Sequence, residues 1–358
     1  MPRIGVNALY LIPGGVGGTE IYLRELLAAL AQIDAANEYF VFTNLETAVD
    51  LVPRQANFHW KPQAVHARFR PARILWEQIV LPLEASRYRL DVLFNPGFTA
   101  PLFAPCRCVT VFHDLQHKRH PEHFRWFDLP MWRLLLWASA RRSRTLIAVS
   151  EATRADLEHF YPFVKGRVTV IPHGVDPAFF TLDRAQIDPY ILCVSTLHPH
   201  KNLDRLLRAY ARTPSHPLVL AGMRGFHTDS IEKLIADLGI ADSVKIPGWI
   251  PREDLLALYA RARAFIYPST FEGFGMPVLE AMAAGIPVAC SDIPPLREVA
   301  GDAPLYFDPE NEDAIAAALD QILTDEPLRH RLTESGRTRA RQFTWPRAAE
   351  QTLTALNA

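Results

Sequence analysis

The stretch that most constrains this chain runs from Ala264 to Cys290. Ala264-Phe265-Ile266-Tyr267 is a short apolar run that reads as a buried strand. Pro268-Ser269-Thr270-Phe271-Glu272-Gly273-Phe274-Gly275 follows as a tight loop, and Pro277 is well placed for the first position of a helix, where a missing N–H removes no bond. That helix carries Val278, Leu279, Ala281, Met282 and Ala284, and Gly285 can end it in a left-handed cap. Pro287-Val288-Ala289-Cys290 then reads as the next strand. Strand, glycine loop, helix and strand in this order predict a parallel α/β sheet, whose ligands bind at the carboxyl ends of the strands. Gly273 and Gly275 let the backbone approach a ligand closely. The first amides of the helix, around Met276, suit an anion such as a phosphate. Glu272 and Glu280 frame the loop, although an acid in a first helical turn also serves the helix dipole.

Glu-x7-Glu, with Gly-Phe-Gly-x-Pro inside it and Glu-Ala-Met-Ala-x-Gly-x-Pro-Val after it, resembles the retaining glycosyltransferases of group 1 (family 4). The resemblance implies a GT-B fold, two Rossmann-like domains facing across a cleft. It implies that Glu272 faces the donor sugar and Glu280 binds the nucleotide ribose. The amides of Gly273, Phe274, Gly275 and Met276 would hold sugar hydroxyls and the diphosphate.

A length of 358 residues predicts two domains, and 49% hydrophobic against 22% charged residues allows a large core. The net charge of −1 hides an asymmetry. Residues 1–180 hold 20 Lys/Arg and 16 Asp/Glu, or +4, and residues 181–358 hold 18 and 23, or −5. Within 61–144 there are 14 basic and 6 acidic residues, or +8. A basic first half points to a local anionic partner: a membrane surface or a phosphate-bearing substrate, since no nucleic-acid motif is present. Cys106, Cys108, Cys193 and Cys290 form no metal-binding spacing and suit a reducing compartment. The first residues read as a strand rather than a signal peptide, and no apolar run is long enough to span a membrane. These readings place the chain in the cytoplasm, with its basic half suited to the cytoplasmic face of a membrane.

The first domain, residues 1–176, opens with a strand at 4–8 and the loop Pro13-Gly14-Gly15-Val16-Gly17-Gly18-Thr19. A helix follows with Leu23, Leu26, Leu27, Leu30 and Ile33 on one face. The loop is not a dinucleotide fingerprint. By resemblance, Gly15 and Gly17 approach the donor diphosphate and the acceptor. Residues 44–72 are poorly patterned. Ile74 to Pro82 reads as a helix ended or kinked at Pro82. Within it Trp76 fits core packing, while Trp76-Glu77-Gln78 also resembles the mannosyltransferase-like branch of the family, which would put Trp76 and Glu77 on the acceptor side.

Cys108 to Leu115 is a strand ending on His113-Asp114. A His there sits where ligands bind in an α/β sheet. Together with His120-Pro121-Glu122-His123-Phe124, it resembles the family segment whose His lies beside the donor sugar, with Asp114 toward the acceptor. The spacing of His117, His120 and His123 matches no standard metal site, and neither metal nor cofactor is expected. Residues 131–144 combine Trp and Leu with four Arg, which fits either an amphipathic surface helix or a core helix with a basic end.

Residues 177–189 read as linker. In the donor domain, residues 187–344, strands at 190–195, 217–221, 243–247, 264–268 and 287–290 alternate with helices. Lys201 sits at a helix start after the first of these strands, where a phosphate would lie; the bland alternative is a solvated surface lysine. The family's usual Gly-Arg-x-x-x-x-Lys-Asn is met by Lys201 and Asn202, but Ser195 and Thr196 stand in place of Gly-Arg. His200 is positioned to supply part of the missing contact. Gly222 and Trp249 fall near the nucleotide by the same resemblance. The last helix, 345–358, is expected to return onto the first domain.

The resemblance implies a retaining enzyme that moves a hexose onto a lipid-linked or polysaccharide acceptor, with His113, Lys201 and Glu272 as catalytic residues. GDP-mannose is the implied donor, with GDP-rhamnose and UDP-sugars open. Two other classes share the fold. Glu-x7-Glu with Lys201 argues against a nucleotide-sugar 2-epimerase. A non-catalytic nucleotide-sugar-binding protein would lack acceptor-dependent release of nucleoside diphosphate.

Overall fold

The computed structural model describes residues 1–15, 17–225 and 227–358. The chain forms two compact units, one of Met1–Gly174 with Thr344–Ala358, the other of Val175–Phe343.

In the first unit the described strands are β1 (Arg3–Ala8), β2 (Glu38–Thr43), β3 (Phe58–Pro62), β4 (Val92–Asn95), β5 (Arg107–Phe112), β6 (Thr145–Ala148) and β7 (Val168–Val170). They lie in the order β3-β2-β1-β4-β5-β6-β7, all parallel. The central strands are buried from end to end, which is why they read as continuous apolar runs. The helix Gly18–Ile33 buries Leu23, Leu26, Leu27 and Leu30. The helix Trp345–Asn357 packs against it, burying Trp345, Ala348 and Leu356. At the entry to that last helix, a Cβ on Gly174 would lie 2.3 Å from the Trp345 nitrogen, so only glycine lets the two backbones pass.

Two expectations change here. The helix read as Ile74–Pro82 runs from Arg70 to Arg87 and does not end at Pro82. Proline removes one hydrogen bond, but the Pro82 ring is buried in the core, and that burial offsets the loss. The unpatterned stretch 44–72 contains β3, an edge strand.

In the second unit the strands are β8 (Ile191–Val194), β9 (Leu218–Ala221), β10 (Val244–Gly248), β11 (Ala264–Tyr267), β12 (Val288–Ser291) and β13 (Leu305–Phe307). Their order is β10-β9-β8-β11-β12-β13, again all parallel. β13 was not anticipated. The core runs from Ile191 and Cys193 through Leu206, Leu220 and Ile266 to Ile315 and Leu319. In the segment read as linker, Pro177–Thr181 forms a 3-10 turn that buries Phe179 against Tyr259.

Both sheets are doubly wound. Their strand order reverses between β1 and β4 in the first unit, and between β8 and β11 in the second. The crevices just beyond the carboxyl ends of those pairs are where such sheets take ligands.

Candidate active site

In the second unit, the loops leaving β8 and β11 meet at the reversal point. Asn202 has left-handed backbone (φ 56°), and its amide donates to the carbonyls of Pro268 at 3.0 Å and Pro309 at 2.7 Å. The His200 carbonyl accepts from the Thr270 amide at 2.9 Å and the Ser269 hydroxyl at 3.0 Å. These bonds fix Lys201 and Glu272 relative to one another. The Lys201 ammonium donates to Glu272 Oε1 at 2.6 Å and to the Tyr267 hydroxyl at 3.0 Å. Only 13% of the lysine side chain and 11% of the glutamate side chain are exposed. The sequence read these as separate ligands of phosphate and sugar; in this state they form an ion pair.

Gly275 (φ 102°) turns the loop into the helix Met276–Ala283, with Pro277 at its second position. Gly285 (φ 74°) ends that helix as expected. Phe274 is buried, its ring edge-on to Phe343, so its backbone alone is left to meet a ligand. One turn in, Glu280 is buried and its Oε2 accepts from the Tyr259 hydroxyl at 2.9 Å. Burial pushes the Glu280 carboxyl up, opposed by that hydrogen bond and by the Arg252 charge.

Ser195, Gly222 and Trp249 follow β8, β9 and β10. The Ser195 amide donates to Ala221 O, and the Gly222 amide to Gly248 O. Gly222 has φ 147°, and a Cβ there would lie 2.0 Å from Ser195 O. Glycine is thus required for the two loops to touch. Trp249 is exposed beyond them.

In the first unit, His113 follows β5 and is almost wholly buried between Tyr22, Phe98 and His173. Its Nε2–H donates to Pro96 O at 2.8 Å, just past the end of β4. A carbonyl only accepts, so Nδ1 is the bare nitrogen. Burial lowers the His113 pKa to about 4, the Pro96 bond opposing, and the ring is neutral at pH 7. Asp114 accepts from the Gln116 amide at 2.8 Å and shapes the turn that follows.

Glu77 lies at the ends of β1 and β4 and is 1% exposed. Its Oε2 accepts from the Thr99 hydroxyl at 3.0 Å and the Asn7 amide at 3.3 Å. Those bonds tie the helix to the sheet, so the buried carboxylate has a structural occupation. Trp76 is partly buried against the same core and donates to Gln63 Oε1 at 3.0 Å. In the glycine loop, the Gly15 amide bonds Ile12 O, and Gly17 (φ 59°) starts the first helix; Val16 lies outside the described residues.

Of the histidines weighed for metal, His117 is buried on the Tyr161 hydroxyl. His120, Glu122 and His123 come together with ligand atoms all within 4.8 Å. A His120–Glu122 contact of 3.0 Å at an exposed carboxylate is an ordinary surface ion pair when the ring is protonated.

Tyr259 and Tyr267 were missed as site residues. Each reads as core, in a helix and in an apolar strand, and nothing local shows that its hydroxyl meets a carboxylate or a lysine.

Lysine, glutamates and glycine turns gather at the reversal point of a doubly wound parallel sheet, the place where such folds take ligands. Residues 176–339 match the family described as glycosyl transferases group 1, and residues 16–179 match glycosyltransferase family 4. O-antigen chain mannosyltransferase B of Escherichia coli is 34% identical over 93% of this chain and 94% of its own. Sucrose-phosphate synthase from Thermosynechococcus elongatus superposes with a TM-score of 0.80 at 21% identity, over 99% of this chain and 98% of that one. Anabaena HepE in complex with UDP and glucose gives 0.76 at 20% identity, over all of both chains. The chain belongs to the group 1, family 4 glycosyltransferases and has their GT-B fold.

Proposed function

We propose that this glycosyltransferase moves mannose from GDP-mannose, with retention, onto a lipid-linked or polysaccharide acceptor in cell-surface glycan synthesis. It works in the cytoplasm, peripherally on the cytoplasmic face of the membrane, and needs no metal. The observation that carries the reading is the Lys201–Glu272–Tyr267 cluster at the β8/β11 reversal, with Glu280 on the adjoining helix. The mannosyltransferase relative supports the sugar.

In this reading Glu280 takes the ribose, Lys201 the diphosphate and Glu272 the sugar hydroxyls, and His113 is the catalytic residue contributed by the first unit. Among the described residues no side chain reads as a nucleophile for double displacement. The acceptor hydroxyl attacks from the face the diphosphate leaves, and the leaving phosphate oxygen takes its proton. Catalysis is then positioning plus stabilisation of the departing charge by Lys201 and loop amides.

A UDP-sugar donor is the second reading, favoured by the fold likeness to HepE, solved with UDP and glucose. A thermal-shift panel of GDP, UDP, ADP and their sugars separates the two. A nucleotide at ~100 times its dissociation constant adds about 2.7 kcal/mol. Stabilisation by GDP and GDP-mannose alone supports the first reading, and by UDP alone the second. No response to any nucleotide would refute the donor site.

A further inference from the structure

The helix Arg70–Arg87 leaves one apolar face exposed. Leu75, Ile79 and Leu83 recur every fourth residue along it, 61%, 53% and 64% exposed. Such spacing puts them in one row. A single exposed leucine needs no explanation; a row of three on one helix does.

The row continues onto neighbouring elements. Gln78, between Leu75 and Ile79, donates to Ala100 O and accepts from the Leu102 amide. This holds the loop 97–104 against the flank of the helix and brings exposed Leu102 and Phe103 beside it, Phe103 being 83% exposed. The other side of the loop is held by the Ser139 hydroxyl, which accepts from the Ala100 amide. Ser139 belongs to the helix Leu129–Arg142. That helix buries Leu136, Ala138 and Ala140 and exposes Arg133, Leu134, Trp137 and Arg141. It is a core helix on one side and an amphipathic surface on the other. Arg70, stacked over Trp132 and paired with Asp128, joins the starts of the two helices.

We infer that this face of the first unit docks on a bilayer containing anionic phospholipid, with the Leu75–Ile79–Leu83 row and Phe103 entering the interface. The inference rests on the proposed membrane-face reading and names the surface responsible. Charge selects the occupant. On the two helices of this face Arg70, Arg87, Arg133 and Arg141 are exposed, whereas Glu77 is buried and Glu84 and Asp128 are partly buried. A symmetric dimer through it would set that positive surface against itself. Lipid phosphates accept the arginines while acyl chains accept the leucines. Among the described residues no helix is long and apolar enough to cross a membrane, so the contact is interfacial.

The test is co-sedimentation of the full chain with vesicles. Wild type is expected to bind phosphatidylethanolamine/phosphatidylglycerol vesicles and not phosphatidylcholine alone. Leu75→Ser/Ile79→Ser/Leu83→Ser should weaken binding ~10-fold or more. Arg133→Glu/Arg141→Glu should weaken it roughly 5-fold per charge, a difference that high salt erases. Ile187→Ser, exposed on the second unit, should leave binding unchanged. Because the serine changes are on the surface, the triple variant should keep its melting temperature and its response to nucleotide. If wild type binds no anionic vesicle, the membrane-face reading itself fails. If wild type binds and the row variant binds as tightly, that reading stands and this surface is wrong. If wild type dimerises in sedimentation and the row variant does not, the face belongs to a second copy and the inference is overturned.

Discussion

The ammonium of Lys201 lies 2.6 Å from Glu272 Oε1, so the cation that a diphosphate would seek is already neutralised by an acid. On the proposed reading a nucleoside diphosphate competes with that acid. Glu272→Gln is predicted to tighten GDP binding severalfold while lowering turnover, opposite signs from one substitution. Calorimetry with GDP beside a GDP-mannose transfer assay checks it. Weaker GDP binding in the variant would show that Glu272 does not restrain the lysine.

Lys201→Ala should reduce turnover ~100-fold or more, the scale of losing a charge-stabilising contact in the transition state. His200→Ala should change little. Lys201→Arg should not rescue, because a planar guanidinium cannot occupy the compact site between Tyr267 and Glu272. Equal losses in the Lys201 and His200 variants would mean that both carry the phosphate.

Glu280→Ala should abolish stabilisation by whichever nucleotide protects wild type, while Tyr259→Phe should weaken it by a smaller factor. Tyr259 acts through Glu280, holding Oε2 at 2.9 Å. Its loss should therefore raise KM for the donor more than it lowers kcat. A Tyr259→Phe enzyme with unchanged KM and low kcat would refute that positioning role.

His113 makes stability depend on pH. Its folded pKa is about 4, while a histidine in the unfolded chain titrates near ~6.5. Between those values the unfolded chain holds the extra proton, so stability is lost as pH falls from about 6.5 toward 4. His117, likewise held at about 4 by burial, adds in the same direction. The melting temperature of His113→Gln should fall less steeply over this window than that of wild type. Parallel curves would place the acid sensitivity elsewhere.

Gly222→Ala should cost several kcal/mol, since its Cβ would meet backbone oxygen of Ser195 at 2.0 Å. Gly239→Ala meets nothing within 4 Å and bears only left-handed strain at φ 67°, about 1–2 kcal/mol. Thermal melts of the two variants give the comparison directly; similar losses would mean that the Ser195 contact yields easily.

The α/β class was readable because buried parallel strands such as Ala264–Tyr267 are unbroken apolar runs between glycine turns. The strands Phe58–Pro62 and Leu305–Phe307, which lack a long continuous apolar pattern, are edge strands. Phe58–Pro62 alternates with His59 and Lys61 and ends on proline, and Leu305–Phe307 is three residues long. With a neighbour on one side only, neither needs a continuous apolar pattern. Pro82 misled because its local effect on a helix is legible and the burial of its ring is not. At the site, glycines and charged residues announce themselves by type and spacing. Glu77 does not, because the Thr99 and Asn7 groups that occupy it come from distant parts of the chain.

The helix Trp345–Asn357 closes over Tyr22 of a unit that the chain left at Gly174. During synthesis, the second unit leaves the ribosome whole before that helix appears. The first unit waits with its opening helix uncovered for the time taken to translate Val175–Phe343. The half of the protein made first is thus the half finished last, and a nascent-chain holdase has its longest opportunity on the face that Trp345 will cover.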